Sequence, residues 1–286
     1  MNRLMLNAAR CTACGLCSAV CGLDVITCNG DTSPTIHPAA FCNECGHCIA
    51  ICPRSALSYR DGDPGAFAPL PPHNITADQM ASFLLGKRSC RVYANRPVEK
   101  SVLAELIEVA RTAPTAINCQ ERAFIVVTDP DQIAQLCQVV VQHTRSILAL
   151  LKLATGKLGA LLLPPETYQH LRHVRADFTV ALRHWKNKRD VFFHNAPCLI
   201  FFAGIRQDPV GRDHALLAMT YLMLYAETMG LGTCINGYAQ AAAKQLTKLL
   251  DVPQAHAIYG AITLGYARHT YRKQVYRKPA LVVGQE

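Results

Sequence analysis

Cysteine is the residue whose spacing carries the most chemistry in this chain. Eight of its 14 cysteines fall into two copies of one pattern, Cys11-x2-Cys14-x2-Cys17-x3-Cys21 and Cys42-x2-Cys45-x2-Cys48-x3-Cys52, the second followed by Pro53. Thiolates at this density suit iron–sulfur clusters. Three in a tight run wrap one cubane, and the fourth, set further on, points away and ligates the neighbouring cluster. Crossed in this way, one [4Fe-4S] cluster takes Cys11, Cys14, Cys17 and Cys52, and the other takes Cys42, Cys45, Cys48 and Cys21. Structural zinc fits less well, because it needs four ligands per site and each tight run supplies three. A disulfide framework fits less well still, since no export signal precedes the motif and clustered cysteines in a cytosolic chain point to metal.

Over roughly residues 1 to 60 the doubled motif resembles the bacterial ferredoxin family. One departure is Gly22, which stands where Pro53 stands in the second copy; it loosens a turn and removes no ligand. Between the two runs, Val25-Ile26-Thr27-Cys28 and Thr35-Ile36 flank Asn29-Gly30, a turn dipeptide suited to a hairpin. After the second run, Ala56-Leu57-Ser58-Tyr59 repeats the apolar step of Val25-Ile26. The expected organisation is a two-cluster domain over 1–62, a stiff proline-rich linker over 63–76 carrying Pro69, Pro71 and Pro72, and a second domain over 77–286.

The chain has 286 residues, half of them hydrophobic, which leaves the second domain long enough to bury a core of its own. Oxygen-sensitive clusters and the lack of a signal sequence lead to the expectation of a cytoplasmic protein. No segment reads as a membrane span: 147–163 is interrupted by Lys152 and Lys157, and 215–226 falls short of the ~20 residues a bilayer needs. The formal charge of +9 does not point to nucleic acid. Two thiolate-ligated clusters and a bound phosphate would offset much of it, and the basic residues lack interleaved aromatic stacking positions.

Elements of the second domain can be read from pattern and punctuation. Thr76-Ala77-Asp78-Gln79 is a capping box opening a helix toward Leu85. Val102, Leu103, Leu106, Ile107 and Ala110 share a helical face after Pro97, and Ile133, Leu136, Cys137 and Val140 share another. Residues 123–128, 198–205 and 257–266 are apolar runs of buried-strand length. Asp213 is expected to cap an apolar helix that runs to Met229 and stops at Gly230. Without a regular βαβ alternation, the expected fold class is α+β, layered.

Three polar runs punctuate these elements: Lys87-Arg88-Ser89-Cys90-Arg91, then Ala113-Pro114-Thr115-Ala116-Ile117-Asn118-Cys119-Gln120, then Gly230-Leu231-Gly232-Thr233-Cys234-Ile235-Asn236-Gly237. In that order, with these helices and strands between them, they resemble the nitroreductase family of FMN enzymes over about 80–142 and 192–286. The resemblance implies an FMN-dependent oxidoreductase, usually a homodimer with FMN at the subunit interface. It implies that Lys87, Arg88, Ser89 and Arg91 grip the flavin phosphate and ribityl chain, a task for which clustered cations and a hydroxyl are suited. It implies that Asn118 and Gln120, with Pro114 and Thr115 shaping their loop, meet the polar edge of the ring. Gly232 to Gly237, including Asn236, would lay backbone against the ring as a loop. Late cations, Lys273 or Arg272, would close on the phosphate. Thr115 replaces the usual serine and keeps the hydroxyl.

Residues 143–190 match no part of that pattern and are expected to form a helical cap insertion over the flavin. His170, His173, His184 and Trp185 within it read as helix-surface side chains, with substrate contact as the alternative. Cys90, Cys119, Cys137, Cys198 and Cys234 lack cluster spacing and read as core residues. The apolar helix 214–229 is the expected dimer surface. No side chain need act as a catalytic group, since the flavin N5 carries the chemistry. Combined, the two resemblances imply electrons entering from a reduced ferredoxin or another donor, passing through two clusters to FMN, and leaving to a small nitroaromatic, quinone or activated double bond. The rival expectations are a relay to a protein partner and flavin-dependent dehalogenase-type chemistry.

Overall fold

The computed structural model describes residues 2–29, 32–72 and 74–284. The chain forms two compact units, the first comprising Met1–Ile75 with Thr115–Cys119, the second Thr76–Pro114 with Gln120–Glu286.

The first unit is built twice from the same local rules. Strand β1 (Leu4–Leu6) leads into a short helix α1 (Leu16–Ala19) and strand β2 (Ile26–Thr27); strand β3 (Thr35–Ile36) leads into helix α2 (His47–Ala50) and strand β4 (Leu57–Tyr59). β1 pairs antiparallel with β4, and β2 with β3, in the register Ile26↔Ile36. This pairing is the hairpin expected there, although Gly30 of its turn dipeptide lies outside the described residues. The repeat reaches the backbone: Ala13, Gly15 and Asp24 have positive φ, as do their counterparts Glu44, Gly46 and Ser55. Both short helices start at a left-handed glycine, a conformation that costs glycine nothing because it lacks Cβ. Leu4, Cys17, Val25, Ile26, Ile49 and Leu57 form the small core.

The start of the expected linker differs from an extended spacer. Pro64–Phe67 make a 3-10 turn capped by Asp63, whose carboxylate accepts from Gly65 N at 2.8 Å. The Phe67 ring sits 5.9 Å from that of Tyr59 and covers Gly46 closely enough that a Cβ there would lie 2.8 Å from it. Apolar contact outweighs the extended preference of the neighbouring prolines at this point.

The second unit opens with helix α3 (Ala77–Gly86), in which Thr76 and Gln79 make both bonds of the capping box. Helix α4 (Lys100–Ala110) precedes strand β5 (Arg122–Val127). Three helices follow, α5 (Pro130–Ala154), α6 (Lys157–Leu162) and α7 (Pro165–Lys186), and between them they take up most of 143–186. Strand β6 (Cys198–Ile205), helix α8 (Gly211–Thr228), strand β7 (Leu231–Ile235), short helices α9 (Gly237–Ala241) and α10 (Ala243–Leu246), and strand β8 (His256–Tyr266) complete it.

One antiparallel sheet, ordered β5-β6-β8-β7, runs through this unit. Alternation along β6 explains the layering, because successive side chains point to opposite faces. Cys198, Ile200 and Phe202 pack with Leu106, Ala218 and Leu222 of α4 and α8. Leu199 and Phe201 pack with Leu136, Val140 and Ala181 of α5 and α7. The layered α+β arrangement agrees with the expected class.

One expectation is corrected here. Helix α8 starts at Gly211, not at Asp213, because the Asp208 carboxylate already turns the chain by accepting from Val210 N at 3.0 Å. Its apolar stripe, Ala215, Ala218, Met219, Leu222 and Ala226, is buried in the core of its own unit, while Leu217 and Tyr221 of the same helix are exposed. Among the described residues, no helix is long and apolar enough to cross a membrane.

Because Phe201 is 1 % exposed at the middle of the sheet, Phe201→Ala is expected to cost about 3–5 kcal/mol of stability, read as a lowered denaturation midpoint in guanidinium.

Candidate functional site

The eight patterned cysteines of the first unit converge in two groups of four. Cys11, Cys14, Cys17 and Cys52 line one cavity with Leu6, Pro34 and Pro53. Cys21, Cys42, Cys45 and Cys48 line another with Val25, His47 and Tyr59. In each group three thiols come from one tight run and the fourth from the other half of the module. Backbone N–H groups point at sulfur in the first group, from Ala13 to Cys11 Sγ at 3.4 Å and from Ala56 to Cys52 Sγ at 3.2 Å. Burial, then neighbouring Cys45, Cys21 and Cys42, pushes the free Cys48 thiol up to about 11. Burial also raises Cys17 and takes Tyr59 up to about 12, with Cys42 and Cys48 adding to it. Thiols packed this closely suit a multinuclear soft metal centre, whose positive charge would relieve their mutual repulsion.

In the second unit, a cavity of about 1080 Å³ opens between α7, the 189–195 segment, the end of β7 and the residues after β8. Arg91, Asn236 and Gly237 of the expected flavin contacts line it, together with His173, His184, Asp177, Asp190, Arg189, His194, Tyr238 and Arg268. Asp190 organises one wall. Its carboxylate accepts from Phe192 N at 2.8 Å and from Phe193 N and Asn195 N, both at 2.9 Å. Asn236 holds the opposite corner: its Oδ1 caps α9 by accepting from Ala239 N at 2.8 Å, and its Nδ2 donates to Phe192 O at 2.5 Å. Tyr238 donates to Asp177 Oδ2 at 2.7 Å; burial first, then that carboxylate, raises its phenol well above the ordinary range and keeps the proton on oxygen.

Close backbone approach sets the position of the basic run. Cys90 N donates to Thr233 O at 2.9 Å, and Ser89 bridges to Thr233. A Cβ on Gly232 would lie 2.4 Å from Cys90 Cβ, so only glycine lets the two segments meet there. The Gly230–Gly237 stretch, expected as a loop, is therefore mostly strand β7, paired with β8 through Leu231↔Tyr266 and Ile235↔Ile262. Leu231, Thr233 and Cys234 are buried, and that burial drives pairing. Only its last residues, Cys234 to Gly237, face the cavity.

Other expected contacts lie elsewhere. Lys87 Nζ is 3.1 Å from Glu227 Oε2 and donates to Arg88 O at 2.8 Å. Arg88 turns its guanidinium to the carbonyls of Leu85 at 2.7 Å and Lys87 at 2.6 Å, while its buried Nε has no partner among the described residues. Arg272 and Lys273 are exposed and off the cavity; Arg268, directly beyond β8, lines it instead. Pro114, Thr115 and Gln120 do not line it, nor does Asn118, whose carboxamide Nδ2 donates to Asn43 O at 3.2 Å and Glu44 O at 3.0 Å within the first unit. His170 is exposed, and Trp185 packs edge-on against Phe192 at 5.9 Å. Cys90, Cys137, Cys198 and Cys234 are buried, as their contexts led us to expect, whereas Cys119 is only partly buried.

The cavity is cationic in balance. Asp177 and Asp190 are both engaged by hydrogen bonds from the chain, whereas Arg91, Arg189 and Arg268 have no carboxylate at ion-pair distance among the described residues. Burial lowers the His194 pKa, opposed by Asp190 and reinforced by Arg91 and Arg189, so its imidazole is held neutral.

Residues 84–266 match the nitroreductase family, and the chain belongs to it, as a nitroreductase-like oxidoreductase. The match begins after the two patterned cysteine runs, at residue 84. Iodotyrosine deiodinase from Thermotoga neapolitana is 24 % identical over 176 residues, covering 59 % of this chain and 79 % of that protein. Among solved structures, an iodotyrosine deiodinase bound to FMN and 3-iodo-L-tyrosine superposes with a TM-score of 0.53 at 17 % identity, covering 72 % of this chain and 99 % of that one. A nitroreductase with bound FMN from Bacteroides fragilis gives 0.52 at 16 % identity, again over 72 % and 99 %. At these identities the structural likeness establishes the fold.

The His194 shift sets a pH dependence. With the folded pKa below the ordinary histidine value, the unfolded chain takes up the proton first as pH falls, so stability drops below about pH 6.5. His194→Asn, which suits the left-handed φ of 58°, is expected to flatten the fall in thermal midpoint between pH 7.5 and 5.5.

Proposed function

We propose that this chain is an iron–sulfur flavin reductase, in which two [4Fe-4S] clusters feed FMN and the flavin reduces a small organic acceptor. The observation that carries the reading is the sorting of the eight cysteines into two groups of four, each completed from the other half of the module. The donor set fits: four thiols per cavity, with N–H donors facing sulfur in the first. Cys11, Cys14, Cys17 and Cys52 hold one cluster; Cys21, Cys42, Cys45 and Cys48 hold the other.

The cavity of the second unit, about 1080 Å³ and lined by Arg91, Arg189 and Arg268, suits FMN by size and by charge. Arg91 and Arg268 oppose the phosphate, for which guanidinium forks suit the oxygens. The Cys234–Gly237 corner, kept rigid by Asn236, offers backbone to the ring. Phe178 and Tyr238, 5.7 Å apart, supply an apolar wall for an aromatic acceptor. Tyr238 keeps its proton at the phenolic oxygen, and His194 stays uncharged. Bound in these sites, the clusters supply single electrons, and flavin collects them for two-electron reduction. The reading includes a reduced ferredoxin or comparable donor, a homodimer and the 1–62, 63–76 and 77–286 organisation.

A second reading shares this site: reductive dehalogenation, favoured by the similarity to iodotyrosine deiodinase. Anaerobic turnover with 3-iodotyrosine, measured as iodide released, against turnover with a nitroaromatic separates the two.

Protein purified without oxygen is expected to hold about eight iron atoms and eight sulfides per chain, with one FMN. Iron with no flavin would defeat the enzyme reading, and flavin with no iron the cluster reading. Arg91→Glu places an anion against the phosphate; it should lower FMN occupancy at least tenfold and leave iron content unchanged. Full flavin retention would move the phosphate site elsewhere.

A further inference from the structure

The segment Thr115–Cys119 groups with the first unit, although resemblance alone gave it a role at a flavin. Its centre is a 3-10 turn, Ala116–Asn118, with Ile117 at φ 47° and Asn118 at φ 55°. Asparagine tolerates left-handed backbone, but a β-branched residue there is strained, and such strain persists where the surroundings over-determine it. Asn118 supplies a determinant. Its Nδ2 donates to two successive carbonyls, Asn43 O at 3.2 Å and Glu44 O at 3.0 Å, both in the tight turn between Cys42 and Cys45.

That turn is held from other sides too. Cys45 N donates to Asn43 Oδ1 at 3.3 Å, and Arg3 pairs with the Glu44 carboxylate at 3.1 Å. Ile117 lies on the lining of the same cavity as Cys21, Cys42, Cys45 and Cys48. The equivalent turn of the first half, between Cys11 and Cys14, receives no side-chain donor on its Thr12 or Ala13 carbonyl among the described residues. The repeat is symmetric in backbone and asymmetric at this point.

We infer that Asn118 is a positioning residue for the second four-cysteine site, fixing its ligand turn and raising the reduction potential of the [4Fe-4S] cluster held there. The inference rests on the iron–sulfur reading above. Hydrogen bonds and local charge around a cluster set its potential. The carbonyl oxygens of Asn43 and Glu44 place partial negative charge in the turn between two ligands of the set, and the carboxamide donor compensates them. Without that donor the surroundings become more negative, and the added electron is less well accommodated. Aspartate at the same position removes the donor and adds a negative charge, so its effect has the same sign and is larger.

The test uses full-length protein purified anaerobically, with iron analysis and a redox titration followed by electron paramagnetic resonance. In Asn118→Ala and Asn118→Asp, one of the two cluster potentials should become more negative, further in the aspartate variant, while the other stays fixed. Cys45→Ala, which removes a ligand of the second set, should abolish the signal that moved. Loss of that signal alone in an Asn118 variant, with the other intact, also supports the assignment. Full iron with both potentials unmoved overturns it, as does a shift confined to the signal that survives Cys45→Ala, or equal loss of both. Wild-type protein without any iron–sulfur signal would instead overturn the cluster reading and not the placement of Asn118.

Discussion

Strand β8 is the element on which the larger unit depends. It is buried along most of its length, and a buried strand must find a partner for every backbone N–H and C=O. β6 satisfies one edge and β7 the other. The requirement reaches outward: β7 lies against β8, the far-upstream Cys90 hydrogen-bonds to Thr233 of β7, and Gly232 has to lack a side chain where the two segments meet. Arg91 and the Cys234–Gly237 corner thus arrive at one cavity wall from distant parts of the sequence, and the chain leaving β8 brings Arg268 to the same place.

Signals written within a few residues were legible in the sequence. The cysteine spacing, the Thr76–Gln79 capping box and the continuous apolar run of β6 each follow from local rules, and each element lies where its pattern put it. What depended on distant partners was less legible. Residues 231–235 carry glycines that suggest a loop, yet pairing with β8 makes them a strand. The cationic run reads as one phosphate grip, but Glu227, far along the chain, draws Lys87 away, and neighbouring carbonyls occupy Arg88.

The cavity wall shows the same division. An aspartate such as Asp190, placed before Phe192, Phe193 and Asn195, can accept several backbone N–H groups in a tight turn. That local signal was present. Arg189 and Arg268 had none, since a lone arginine in sequence does not reveal that its charge lacks a partner in space. Asn118 is the reverse case. Its residue type fitted a flavin edge, and only the fold shows its donor turned to the carbonyls of Asn43 and Glu44.

The crossed sorting of the cysteines means that neither half of the first unit is self-sufficient. Each half brings three thiols to one cavity and one to the other, and the outer strands β1 and β4 pair across the repeat. A cut between the halves would leave two fragments, each with an open corner and an unpaired strand edge. The unit is therefore indivisible in its cooperativity: its ends must meet before either cavity is complete, and order in one half is order in the other.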